Sequence, residues 1–536
     1  MQKRNIFKSL FLLTCLVLFN ACSKKPEHLK LIPKDAGIVA NIDLLGLGMK
    51  IGSIDIESYE FIKDLLEKSK NDSTIKFSNV LNNPLDWGIS LTDDIYTYTE
   101  KVSGGYTAIA LRLTNSENFT KVISDLVKND LNGELKSISN LSLCQLEDIL
   151  LTWDNESALI LFNLDKSSMT DNELKEKAIE LFNIQPENQF YTTNLYNVLS
   201  EKKGDINLVV NQSNLYQETS ETKELLKDFE NICSYGSIHF EDDRIFAQGG
   251  TVQNEAFKKY ESTFNNIISE YNQEVIKQMP ENHLALFGFS FNLEAGIDSI
   301  TNSLPLKTQM GIAAAKPVLE GFGGSFNLSL YDVEVGEKEI PSYSDTGFTF
   351  VKKSIPLPKV ALGFDVKKKE ALDQVIAPLS MSPFLETTGN YFTIHSKEIL
   401  RSNFYAYYND KIGIITTDQN AVEILSEGKS LDRSLADSEF AKAFQASNSY
   451  FHLHTDLTKY PDVVTSSLID LMPSLPNAQE YLNVWNTYNK GIEVKIVNKY
   501  DYEMSYVFKE KPGNIIENYL QMIDEMYKLN KSNSIL

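Results

Sequence analysis

One order of landmarks runs through this chain twice, and no other feature restricts its fold so strongly. Ile32-Pro33-Lys34-Asp35 leads into the alternating run Gly37–Leu44, and Met279-Pro280-Glu281-Asn282 leads into Leu284–Leu293. Each reads as a strand opened by proline, where the missing N–H costs no ladder hydrogen bond. Strand Ile109–Leu113 is followed by a helical face with Phe119 and Ile123; Leu362–Val366 is followed by Leu372 and Ile376. Leu111 and Phe364 stand 253 residues apart, as do Ile123 and Ile376. Trp153-Asp154-Asn155-Glu156 and Tyr408-Asn409-Asp410-Lys411 both read as tight turns between strands. Ile206–Val210 matches Phe451–Thr455, and Gly236 matches Gly491. Each half then closes on an amphipathic helix, with Phe257, Tyr260, Phe264, Ile267 and Tyr271 in one and Ile516, Tyr519, Leu520, Ile523 and Tyr527 in the other.

Strand alternation mixed with helical spacing, as at Tyr59–Leu66 and Leu174–Phe182, predicts an α+β fold. Turn signals join neighbouring strands closely, which favours antiparallel pairing. The expectation is therefore two tandem related repeats, each a mixed, mostly antiparallel sheet with packed helices. The boundaries read as a signal peptide at 1–21, a tether at 22–30, a first repeat at 31–275 and a second at 276–530. At 536 residues the chain is too long for one compact core. A cleft between the halves is the expected place for a ligand.

The amino terminus reads as an address. Lys3, Arg4 and Lys8 precede an apolar run from Leu10 to Phe19, then Asn20, Ala21 and Cys22. A charged start, a short apolar core and a small residue before the cut make a secretory signal. The run is roughly half the ~20 residues that span a bilayer. The Ala21-Cys22 junction resembles a lipobox, although Phe19 stands where Leu is usual. That resemblance implies cleavage before Cys22 and a diacylglycerol thioether on its sulfur, anchoring the rest of the chain to a membrane.

Together with the lipobox, the Lys-rich start and Ile32-Pro33-Lys34-Asp35-Ala36 before an alternating strand resemble the DUF4836 family of uncharacterised Bacteroidetes lipoproteins. The resemblance covers nearly the whole mature chain and carries no catalytic residues. It implies lipid anchoring in the cell envelope, at the outer membrane. Lys24 and Lys25 hold the place where surface-exported relatives carry acids, which favours the periplasmic face.

The formal charge is −22, and about −25 once Lys3, Arg4 and Lys8 leave with the signal. No basic stripe offsets it, so nucleic acid is not an expected partner. Of four cysteines, Cys15 leaves and Cys22 is lipidated; Cys144 and Cys233 have no metal-ligand spacing. No Gly-x-Ser-x-Gly elbow occurs. Gly428-Lys429-Ser430 mimics the end of a phosphate loop, but Glu423 occupies the place of its first Gly. Gly321-Phe322-Gly323-Gly324 fails as a dinucleotide motif at Phe326.

The chain has six His, and one cluster stands out: His452-Leu453-His454-Thr455-Asp456. On a strand, His452, His454 and Asp456 share a face, and two imidazoles with a carboxylate are transition-metal ligands. A polar strand face turned to water is the competing account. The reading is a lipid-anchored envelope protein with a non-enzymatic binding or structural role, its ligand or protein partner unnamed. The alternative is a metal-dependent hydrolase with a dispersed site. No cofactor and no catalytic residue is expected.

Overall fold

A computed structural model describes residues 26–52, 54–71, 87–100, 105–129, 133–146, 149–163, 169–211, 232–252, 267–301, 316–344, 347–396, 402–472, 475, 477–497 and 501–533. The signal, Cys22 and the helix residues Phe257, Tyr260 and Phe264 lie outside the described residues. The chain divides into two compact units: residues 1–48 with 65–219, and residues 49–64 with 220–536. The fold is mixed α+β, and every described strand pairing is antiparallel.

In the first unit the strands are β1 (Ile38–Ile42), β2 (Ile95–Thr99), β3 (Tyr106–Arg112), β4 (Glu134–Ile138), β5 (Leu141–Leu146), β6 (Ile149–Trp153), β7 (Ser157–Asn163) and β8 (Ile206–Asn211). They pair in the order β8-β1-β2-β3-β7-β6-β5-β4. Helices α1 (Ser116–Asn129) and α2 (Asp171–Phe182) belong to this unit. Phe119 and Ile123 of α1 pack on Leu111, Leu151, Trp153 and Ala158, as their helical spacing requires. Glu27–Leu31, which overlaps the end of the expected tether, is a 3-10 helix with His28 and Leu29 fully buried.

The second unit holds β9 (Cys233–Phe240), β10 (Arg244–Val252), β11 (Ala285–Ser290), β12 (Phe322–Ser344), β13 (Gly347–Val366), β14 (Leu385–Thr388), β15 (Tyr391–Ile394), β16 (Phe404–Tyr408), β17 (Ile412–Thr416), β18 (Ser449–His454), β19 (Asn489–Ile496) and β20 (Tyr502–Phe508). Their order is β9-β10-β20-β19-β18-β11-β12-β13-β17-β16-β15-β14, a large antiparallel sheet. Its helices include α3 (Lys369–Leu379), α4 (Gln419–Ser426), α5 (Asp462–Asp470), α6 (Ala478–Tyr488) and α7 (Ile515–Asn533). The main core gathers Val275, Met279, Leu286, Ile414, Val422, Phe444 and Tyr450. Strands 233–252, which the sequence places with the first half, pair here with β20. Cys144 on β5 and Cys233 on β9 are both buried.

Candidate metal centre

The site grows from two adjacent strands. His452 and His454 alternate on β18, so both project from one face with Tyr450. Leu286 of β11 stands across from His452, and the His454 N–H donates to the Leu284 carbonyl at 2.9 Å. That register delivers His283, two residues ahead of β11, to the same spot. Its ring centroid lies 5.2 Å from that of His452 and 5.8 Å from that of His454. The His452 and His454 centroids are 4.6 Å apart. One donor atom from each of the three lies within 4.8 Å of the others.

The surroundings are partly apolar. The Phe440 ring sits 4.4 Å from His283 and 4.6 Å from His452, centroid to centroid. His283 is 7% exposed and His452 4%. Burial therefore pushes their pKa values down, to about 4 for His283 and about 3 for His452. His454 is lowered too, first by burial and then by nearby Lys459. All three rings are neutral at pH 7, the form that ligates metal. Two buried nitrogens, His283 Nε2 and His452 Nδ1, have no hydrogen-bond partner among the described residues.

His283 and His454 also line an open cavity of about 1010 Å³. Asp332, Asp418, Asp437, Glu281 and Glu439 contribute carboxylates to its wall, against Arg433 and Lys459. Arg433 is paired with Glu281 at 3.2 Å, and Asp437 accepts from the Ser434 N–H at 2.9 Å.

Residues 28–514 match the family described as a domain of unknown function, DUF4836. The chain belongs to the DUF4836 family. No curated protein matches it. Three crystal forms of TP0453 are among the solved structures that resemble this DUF4836 protein. Forms IV and III each have a TM-score of 0.24 at 11% identity, covering 42% and 47% of this chain and 79% and 90% of theirs. Form I has a TM-score of 0.22 at 11% identity, with coverage of 47% and 90%.

Of the residues singled out from the sequence of this DUF4836 protein, the fold brings His452 and His454 together. Asp456 is engaged elsewhere. Its Oδ2 meets Lys509 Nζ at 2.7 Å, and its Oδ1 accepts from the Thr458 hydroxyl at 2.6 Å and N–H at 3.1 Å. His283 completes the cluster, 169 residues before His452. Nothing local marks it as a ligand; the signal that could have pointed to it was its place just ahead of a proline-led strand in a chain with few His. Cys22 lies outside the described residues.

Proposed function

We propose that this DUF4836 protein is a lipid-anchored bacterial envelope component, built from two related repeats, that binds a cation-bearing ligand and performs no chemistry on it. The cavity carries this reading: it is large enough for an organic ligand, and carboxylates outnumber cations on its wall five to two. A concave site with low-dielectric walls and one dominant sign of charge concentrates ligands of the opposite sign.

The Lys3-to-Cys22 pattern supports the anchor, with thioether-linked acyl chains holding the body at the outer membrane, on its periplasmic face. Among the described residues no helix is long and apolar enough to cross a membrane. Strand order supports the repeat. Each half runs in one sequence of pairings, β8-β1-β2-β3-β7-β6-β5-β4 and β18-β11-β12-β13-β17-β16-β15-β14. Register agrees: Leu111 faces Ala158 as Phe364 faces Gly413. The turns agree as well, with Asp154 Oδ1 accepting from two following N–H groups as Asn409 Oδ1 does. Trp153 donates to Thr120 of α1 at 2.9 Å, and Tyr408 donates to Asp373 of α3 at 2.7 Å, so the same contact recurs with different chemistry.

The binding test is calorimetric titration of full-length protein in detergent, with spermine as the cationic probe and inorganic phosphate as the anionic one. Spermine should bind, phosphate should not, and D332N/D418N should weaken spermine about tenfold. Asn remains a good N-cap, so the α4 cap that Asp418 provides survives the change. Silence with spermine, or affinity unchanged in the double variant, overturns the cavity reading. For the anchor, wild-type protein should need detergent for release, and Cys22→Ser should wash out in buffer; a wild-type protein that washes out equally refutes it.

A further inference from the structure

We propose that His283, His452 and His454 form a three-imidazole site for a divalent transition-metal ion, zinc by preference, at the wall of the cavity in the second unit. This deepens the reading of that cavity as a binding site and rests on it only for the ion's route of entry.

Convergence is the first support. The three donor atoms lie within 4.8 Å of one another. Zinc bound at 2.0–2.1 Å to each nitrogen in tetrahedral geometry would draw them to roughly 3.4 Å. Small rotations of the rings close that difference without moving the strands.

Unmet hydrogen-bonding capacity is the second support. Among the described residues, His283 Nε2 and His452 Nδ1 are buried and without hydrogen-bond partners. Leaving such groups unpaired is costly, and these two belong to residues of one cluster. A neutral imidazole nitrogen with a free lone pair is able to bind a cation.

Ring orientation is the third. His283 Nδ1 lies 3.3 Å from the Glu281 carbonyl, the acceptor that would fix its proton on Nδ1 and leave Nε2 bare. Metal-ligating imidazoles are held in this way, with the second nitrogen donating to a carbonyl. Gly491 gives His452 room, because a Cβ there would come within 3.2 Å of Nε2. Glu439 on the cavity wall adds negative potential, felt by His283 and His454 alike. Three neutral nitrogens select zinc, copper or nickel over magnesium and calcium, which prefer oxygen.

The arrangement is confined to the second unit. Aligned on the shared backbone bond (Asn211 N–H to Gly37, His454 N–H to Leu284), which shifts the sequence match of these strands by two residues, the first unit has Ala36, Val209 and Asn211, none of them an imidazole.

Full-length protein, stripped with a chelator in detergent, should take up one zinc per chain in competition with a chromophoric chelator. Cobalt(II) should give the intense visible bands of a four-coordinate nitrogen-rich site. His283→Ala and His452→Ala should each weaken zinc by at least about 100-fold, the upper range of what a lost supporting contact alone costs. Asp456→Asn should bind as wild type. Should a variant fail to fold by circular dichroism, the wild-type cobalt spectrum still decides. No stoichiometric uptake, an octahedral cobalt spectrum, or loss of binding in Asp456→Asn with retention in His283→Ala would overturn the site. Zinc failure with spermine binding intact removes the metal centre alone; spermine failure with zinc intact removes the organic-ligand reading alone.

Discussion

Asp456 shows how neighbours decide the work of a side chain. Burial alone would raise its pKa, but Lys509 and Thr458 together outweigh that and lower it. Removing its carboxylate takes the charge partner from Lys509, which keeps the Asn486 carbonyl, and uncaps the turn at Leu457–Lys459, so Asp456→Ala should cost about 2 kcal/mol in chemical denaturation. A loss below a few tenths would show that the pair contributes nothing. His283 and His452 give a pH signature. Their folded pKa values lie well below the ordinary 6.5, so between about pH 6.5 and 4 the unfolded chain takes up protons that the folded chain refuses. Stability from this source is full above pH 6.5 and falls as the solution is acidified. For His283 alone the loss from pH 7 to pH 5 is about 2 kcal/mol. Thermal melts of chelator-treated protein should show the drop, and His283→Gln should show less of it; equal drops would contradict the assignment. The pair on β18 was legible because alternation puts His452 and His454 on one face whatever the rest of the chain does. His283 was not, because only the β11–β18 pairing brings it there.

The elements carry their own constraints. Gly288 on β11 lies under the buried Phe444, and a Cβ would stand 2.1 Å from the ring. Gly288→Val should therefore destabilise by about 2–3 kcal/mol, seen as a lowered melting temperature; an unchanged melt would mean the ring can move aside. The β12–β13 hairpin behaves differently. From Gly336, across from Ile355, to its end it joins none of the described core clusters, and Phe348 and Phe350 are 52% and 62% exposed. Pro341, Pro356 and Pro358 interrupt its edges and discourage strand addition by other chains. Shortening it to a two-residue turn after the Gly336–Ile355 pair should leave the melting temperature within a few degrees; a collapse would reveal a structural role. Its length could not be read from the sequence, because the matching β2–β3 connection shows no comparable ribbon among the described residues. The tight turns at Asp154 and Asn409, and the helices at Asp171–Phe182 and Ile515–Asn533, were legible, since their chemistry is local.

For the whole molecule, duplication predicts that residues 38–211 and 285–454 superpose on one strand order, with the long hairpin and the His cluster as the departures. An experimental structure in which the two segments need different strand orders to align would end that account. Composition and periodicity reach only properties that a short stretch of chain carries with it: an acidic net charge and a mixed, mostly antiparallel α+β architecture. These follow from local sterics, alternation and transfer from water, which act over a few residues at a time. Which strand lies beside which, that β9 and β10 join β20, and that His283 meets His452 while Asp456 turns to Lys509 are matters of long-range pairing. They depend on how a chain of this length closes its core, and no stretch of it holds that information alone.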